Sequence, residues 1–331
     1  MTVKKKKRAV TAFVVTVFLL TGLFFLAINT GSLHIGFTKL LKGLFVQYNK
    51  DVATIYDLRF PRIIISMLAG AGVAVSGVLF QAVLKNPLAD PGIIGISSGA
   101  GFTAVLITAF APSLYFLTPV AAFAGGIAAF FLVYCLSWKG NLSPMRIILT
   151  GVAVNSLFTG LSSAFSAMTG GERSGVAAIV EANITQKTWD DVRTLLPYVI
   201  AGLILAFLFA QECNLLTLED KTARGLGINV NQTRIVISLI AVLLASISTA
   251  VAGAISFLGL IVPHIGRILV GSEHKKLIPF SALSGAFTFL LADTIGRTIA
   301  APNEISAPVI MSVVGGPFFI LLLRRSGNYG N

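Results

Sequence analysis

Charge is scarce in this chain: 11% of its 331 residues are Asp, Glu, Lys or Arg. The few charges are also unevenly spread. Residues 63–84, 91–138, 147–171, 194–211, 235–266 and 305–323 contain none at all. A hydrocarbon core about 30 Å thick is crossed by about 20 apolar helical residues. Inside it every backbone polar group must be paired, so a spanning segment is a helix or part of a closed barrel. The tracts lack the period-2 alternation of a barrel strand, which leaves helices. With 55% hydrophobic residues and a mean hydropathy of +0.87, the chain carries more apolar surface than a soluble domain can hide.

Other absences narrow the chemistry. The two cysteines, Cys135 and Cys213, stand far apart and in no CxxC pattern, which argues against a disulfide framework or a zinc site. Three histidines, His34, His264 and His274, are scattered without an HExxH, and no GxxxxGK[ST] phosphate loop occurs. Walker-type nucleotide hydrolysis by this chain is therefore excluded. No metal, cofactor or catalytic constellation is expected. The formal charge of +12 reads as topology rather than as nucleic-acid binding, because Lys and Arg accumulate in cytoplasmic loops.

What is present is a series of spans. KKKKR precedes an apolar run from Ala9 to Ile28; the run is too long for a secretory leader and no small-x-small cleavage site follows. It predicts a first membrane helix over Ala9–Asn29. Further helices are expected over Ile63–Leu84, twice within 91–138 with a division at Pro112 and Ser113, over Ile147–Met168 and over Thr194–Gln211. Tract 235–266 predicts one full helix and an abbreviated one after Gly253. Leu277–Ile299 and Ala307–Leu323 complete about ten crossings, an all-α polytopic membrane protein read as one permease-like domain over 1–331. With the N-terminus inside, sixteen of the 25 Lys and Arg fall on the inner side and nine outside, so both termini are expected in the cytoplasm.

Three stretches say more than "membrane protein". They are RFPRIIISMLAGAGVAVSGVLFQAVLKNPLADPGIIGISSGAG (59–101), LTLEDKTARGLGINVNQTR (216–234) and GAISFLGLIVPHIGRILVGSEHKKLIPFSALSGAFTFLLADTIGRTI (253–299). Together, in this order, they resemble the permease subunits of ABC importers for iron-siderophores, haem and cobalamin, the FecCD/BtuC-like family. The C-terminal NEISAPVIMSVVGGPFF carries Ser306, Pro308 and Met311 where the commoner pattern has Pro, Gly and Thr. That variant looks closer to Gram-positive haem permeases than to cobalamin permeases. The resemblance implies an iron-chelate importer, with cobalamin as the alternative cargo. Its partners would be a second permease subunit (homo- or heterodimer), two ATPase subunits and an extracellular or periplasmic substrate-binding protein.

The resemblance also implies roles for residues. Arg59 and Arg62 of RxPR and Arg297 of ADxxxR would dock carboxylates of the binding protein, for which the planar guanidinium fork is suited. They can equally serve as interfacial anchors, and Arg297 lies four residues after Asp293, the spacing of an intrahelical ion pair. Glu219, Asp220, Ala223, Arg224, Gly225, Leu226 and Gly227 would form the ATPase-coupling segment of the loop 212–234. On the fifth helix Asn155, Thr159, Ser162 and Ser166 share one face and would line the pathway, unless they only bond to neighbouring helices. Pro144 and Met145 match the family's cytoplasmic gate, where cobalamin relatives have small hydroxyl residues. Gly70, Ala74, Gly77, Gly285 and Ala286 are read as helix packing, and His264 as packing near a helix end. An ion-coupled transporter would need ionisable residues near the midplane and a membrane enzyme a clustered site; Asp293 is the one acid expected inside a helix, near its outer end.

Overall fold

The computed structural model describes residues 3–30, 36, 39, 42–43, 49–139, 141–142, 144–168, 184–301 and 303–326. Among them thirteen α-helices follow one another. They are α1 (Val3–Asn29), α2 (Lys50–Leu58), α3 (Phe60–Val83) and α4 (Ile96–Phe110). A 3₁₀ segment (Pro112–Leu117) leads into α5 (Thr118–Ser137), and α6 (Pro144–Met168) follows. Next come α7 (Trp189–Leu208), α8 (Ala210–Leu216), α9 (Asp220–Gly225) and α10 (Val230–Ala252). The last three are α11 (Leu258–Val270), α12 (His274–Ile299) and α13 (Ala307–Ser326). Among the described residues seven helices are long and apolar enough to span a membrane, and three shorter apolar ones bring the set to the expected ten. The only strands among the described residues are two two-residue pieces, pairing Trp138 with Leu142 and Lys139 with Asn141.

Boundaries shift where local chemistry overrides hydropathy. α7 begins at Trp189 rather than Thr194 because Asp191 accepts the Thr188 backbone N–H at 2.8 Å, one half of a capping box. Asp190 and Asp191 thus lie in its first turn, which corrects the expectation that Asp293 is the one acid within a helix. The first helix starts earlier than hydropathy suggests and takes in the basic stretch. Residues 86–95 do not continue a helix. There the Asp90 carboxylate accepts the backbone N–H groups of Gly92 and Ile93 and holds a turn.

α3 is the keel of the bundle. Of the span Lys50–Val83, 83% of the apolar stretch is buried, against 17% for Arg146–Met168. Close packing on α3 is possible because backbones touch at glycine. A Cβ on Gly285 of α12 would lie 2.4 Å from the Gly70 carbonyl oxygen, and one on Gly77 would lie 2.0 Å from that of Gly259 in α11. Small residues let helices approach in this way in a bilayer, where dispersion rather than water exclusion drives association. α10 stops at Gly253 (φ 77°), and α11 starts after Phe257, a non-glycine residue at φ 65°. The thirteen-residue α11 spans roughly 20 Å, a half-helix of the kind predicted after the Gly253 break.

Candidate functional site

α3 has 24 residues and so spans roughly 36 Å, with a charged cluster at each end. At its N-terminal end Arg62 lies against two carboxylates. Its Nε and Nη2 donate to Asp293 at 3.1 and 2.8 Å, and its Nη1 donates to Glu304 Oε2 at 2.8 Å and to Thr185 Oγ1 at 3.2 Å. Thr185 Oγ1 donates to the same Glu304 oxygen at 2.7 Å. Arg297 Nε stands 3.4 Å from Asp293 Oδ2, one turn along α12, and its Nη2 reaches the Ala27 carbonyl at 3.5 Å. Arg59 Nη1 donates to the Ile28 carbonyl. The three arginines singled out in the sequence are therefore gathered at one end, and the ion pair suggested by the Asp293–Arg297 spacing is present. Arg62 and Arg297 are buried rather than displayed, with side chains 7% and 8% exposed.

Glu304 and Thr185, which reach this cluster from two loops, escaped the sequence reading. Glu304 sits outside the membrane spans. Partial burial pushes its pKa up, but hydrogen bonds from Arg62 and Thr185 outweigh that and hold it below the ordinary value.

At the opposite end of α3 the chain turns at Lys85, a non-glycine residue at φ 49°. Its Nζ donates to Asp220 Oδ1 at 2.8 Å and to the Leu218 carbonyl. Arg234, one turn into α10, closes on Asp220 bidentately at 2.8 and 3.1 Å. The hydrogen bond from Lys85 is the main cause that lowers the Asp220 pKa; slight burial opposes it and Arg234 adds to it. α9 is thereby tied to both α3 and α10.

The predicted coupling residues divide accordingly. Ala223 is buried beneath α9, and Asp220 is half-buried in the ion cluster, while Glu219, Arg224, Gly225, Leu226 and Gly227 are exposed. Leu226 is 58% exposed. Gly227 adopts φ 91°, a left-handed conformation that suits glycine and turns the chain between α9 and α10. Nearby Cys213 is buried, and burial with Glu212 beside it pushes its thiol up to about 12, so thiolate chemistry is closed to it.

Among the described residues α6 packs mainly against α4 and α5, and much of its remaining surface is exposed. Thr159 is exposed; Asn155, Ser162 and Ser166 are half-buried on the same face. Ser162 Oγ donates to the Phe158 carbonyl within the helix at 2.8 Å. Pro144 and Met145 form the first turn of α6. His264 packs edge-on against Phe318, ring centroids 5.8 Å apart, in the middle of α11. Among the described residues no group of three or more His, Cys, Asp or Glu stands close enough to hold a metal ion.

Ten apolar helices, a glycine-packed keel and charged clusters at its two ends define a multi-pass membrane subunit. The chain belongs to the FecCD transport family, whose model matches residues 19–325; it is a transport subunit rather than an enzyme. It is 39% identical over 332 residues to the iron(3+)-hydroxamate import system permease protein FhuG of Bacillus subtilis, covering 97% of this chain and 99% of that one. It is also 39% identical over 326 residues to the probable heme-iron transport system permease protein IsdF of Staphylococcus aureus, covering 98% of each. Among solved structures, a metal-chelate type ABC transporter in an inward-facing conformation matches with TM-score 0.78 and 27% identity, covering 95% of this chain and 99% of that one. PsaBC from Streptococcus pneumoniae in complex with Fab shares the fold at TM-score 0.57 and 16% identity, covering 86% of this chain and 95% of that one.

Proposed function

We propose that this chain is the permease subunit of an ABC importer for an iron chelate, a ferric siderophore or haem. The observation that carries the reading is the near end-to-end similarity to FhuG and IsdF, whose printed names give these cargoes. In this reading the whole chain acts as one permease domain in the cytoplasmic membrane. Both termini face the cytoplasm, supported by the sixteen-to-nine division of Lys and Arg. The Arg62 end of α3 then faces outward and the Asp220 end inward.

A second permease subunit covers the open side of α6, so that Asn155, Thr159, Ser162 and Ser166 line the pathway between two copies. Pro144 and Met145, at the inner end of α6, belong to its gate. The exposed face made by Glu219, Arg224, Gly225, Leu226 and Gly227, with Asp220 and Ala223 fixing it from below, meets the ATPase. Arg59, Arg62 and Arg297 mark the end where the substrate-binding protein docks. ATPase closure shifts the pair of permeases between inward- and outward-open packings through contacts that differ between the two states.

The test is uptake into proteoliposomes holding the transporter with its copurifying ATPase and binding protein. Radiolabelled ferric hydroxamate, haem and cobalamin are offered with ATP inside. ATP-dependent uptake of one of the two iron chelates is expected. Uptake of cobalamin alone, or iron uptake driven by an ion gradient without ATP, overturns the assignment.

A further inference from the structure

The cluster at the N-terminal end of α3 contains three arginines and two carboxylates, so it carries a surplus positive charge. Asp293, with its side chain 1% exposed, holds two of the three nitrogens of the Arg62 fork. The remaining corner, Nη1, points to Glu304 Oε2 at 2.8 Å, and Thr185 Oγ1 donates to the same oxygen at 2.7 Å. Two donors thus converge on one carboxylate oxygen. Glu304 is the more exposed of the two carboxylates, its side chain 37% exposed against 1% for Asp293. The backbone under it is held separately, because the Ile305 N–H donates to the Gly296 carbonyl at 3.0 Å. Its side chain can therefore leave without unravelling the loop that leads into α13.

We propose that Arg62 Nη1 and Thr185 Oγ1 form a carboxylate site whose resident occupant is Glu304, and that docking exchanges Glu304 for a carboxylate of the partner protein. This rests on the docking role assigned to this end under the proposed function. The internal glutamate displays the chemistry that the site accepts: an acidic side chain meeting a fixed arginine corner and a hydroxyl. Asp293 is the positioning residue. It satisfies the inner edge of the guanidinium, so the buried Arg62 stays oriented while its outer partner changes. Exchange also has a mechanical consequence. Thr185 precedes α7 and Glu304 precedes α13, so removing Glu304 from the site unties those two loops at the moment the partner arrives.

The experiment measures affinity of the purified transporter in nanodiscs for the substrate-binding protein that copurifies with it, across a salt series. E304Q removes the internal competitor and keeps side-chain size; E304A is a second version. Each should tighten binding by roughly two- to fivefold, the range of a partly exposed charged pair, and most at low salt. D190N is the control for general electrostatics, since Asp190 is an exposed acid in the first turn of α7. Equal tightening by D190N and E304Q overturns the exchange. R59E tests the underlying docking role. If R59E weakens binding while both Glu304 variants leave it unchanged or weaker, the exchange is wrong and docking stands. If none of these variants alters binding, both are wrong.

Discussion

The two ends of α3 carry ion pairs of the same length and opposite character. Arg62–Asp293 and Lys85–Asp220 are both 2.8 Å, yet the first has side chains 7% and 1% exposed and the second 32% and 40%. Distance does not rank them; burial does. Removing one partner of a buried pair leaves an uncompensated charge in a poor solvent and costs about 3–5 kcal/mol. Exposed pairs are worth about 0.2–1 kcal/mol and weaken with salt. One end is thus a lock that fixes α3 to α12. The other is a tether that keeps α9 near α3 and α10 while allowing it to yield, which suits a segment expected to move with an ATPase.

Asp293→Ala is the substitution expected to do the most damage. It leaves the buried Arg62 with only its outer partner Glu304 and deprives the buried Arg297 of its carboxylate, with a predicted loss of about 3–5 kcal/mol. Thermal unfolding of the detergent-purified protein should show it as a large fall in midpoint or as failure to purify monodisperse. A double replacement of Arg62 and Asp293 by apolar residues of similar size should recover much of the loss. A single-mutant cost no greater than that of Lys85→Met would remove the distinction between the ends.

Glycine packing provides a second contrast. Gly285→Ala places a methyl group 2.4 Å from the Gly70 carbonyl oxygen, backbone against backbone, whereas the would-be Cβ of Gly225 in α9 has nothing within 4 Å beyond its own stretch of helix. Overpacking of this kind costs about 1–3 kcal/mol. The α12 variant should lower the unfolding midpoint, and Gly225→Ala should leave it where it was. Equal midpoints would mean that α3 and α12 separate without cost.

These contrasts show which parts of the molecule the sequence discloses. The spans were readable because a bilayer excludes charge, so each long tract without Asp, Glu, Lys or Arg between 63 and 323 contains, among its described residues, at least one apolar helix. The break at Gly253 was readable because glycine favours the positive φ found there. The start of α11 was not, since Phe257 at φ 65° is held by its surroundings; a Cβ on Gly315 of α13 would lie 2.4 Å from its side chain. Asp293–Arg297 was legible because the two residues are one helical turn apart, while Arg62–Asp293 joins residues 231 positions apart. A signal for it did exist. Arg62 opens a charge-free tract, Asp293 closes another, and antiparallel α3 and α12 bring those ends together. Lys85, Thr185 and Glu304 gave no comparable signal, because loop residues are placed by the helices that they connect.

A functional effect without a stability effect is expected on the exposed face of α9. Arg224→Glu reverses a charge that lies outside the ion cluster, and Gly227 replaced by a bulky residue strains a left-handed turn. Both should lower copurification of the ATPase and its stimulated hydrolysis, with the free energy of unfolding changed by less than about 1 kcal/mol for Arg224→Glu. Wild-type association and hydrolysis in both variants would remove this face from the coupling assignment.

The smallest effect belongs to the Lys85–Asp220–Arg234 tether, and its pH dependence has a definite sign. The hydrogen bond from Lys85 and the charge of Arg234 depress the Asp220 carboxyl below its ordinary value of 3.8, despite slight burial. A group whose pKa is lower when folded stabilises the fold above its unfolded value and loses that contribution as pH falls through the folded one. The tether should therefore be constant from pH 5 to 8, on the order of 1 kcal/mol at most because Asp220 is 40% exposed. Hydrogen exchange of the α9 amides is the direct readout. Asp220→Asn and Lys85→Met should each speed exchange severalfold at neutral pH, the difference from wild type should shrink as salt rises, and for Asp220→Asn it should vanish once acid protonates the folded carboxylate. An Asp220→Asn difference that grew as the solution was acidified would show that the carboxylate is strained in the folded chain rather than stabilised by its two cations.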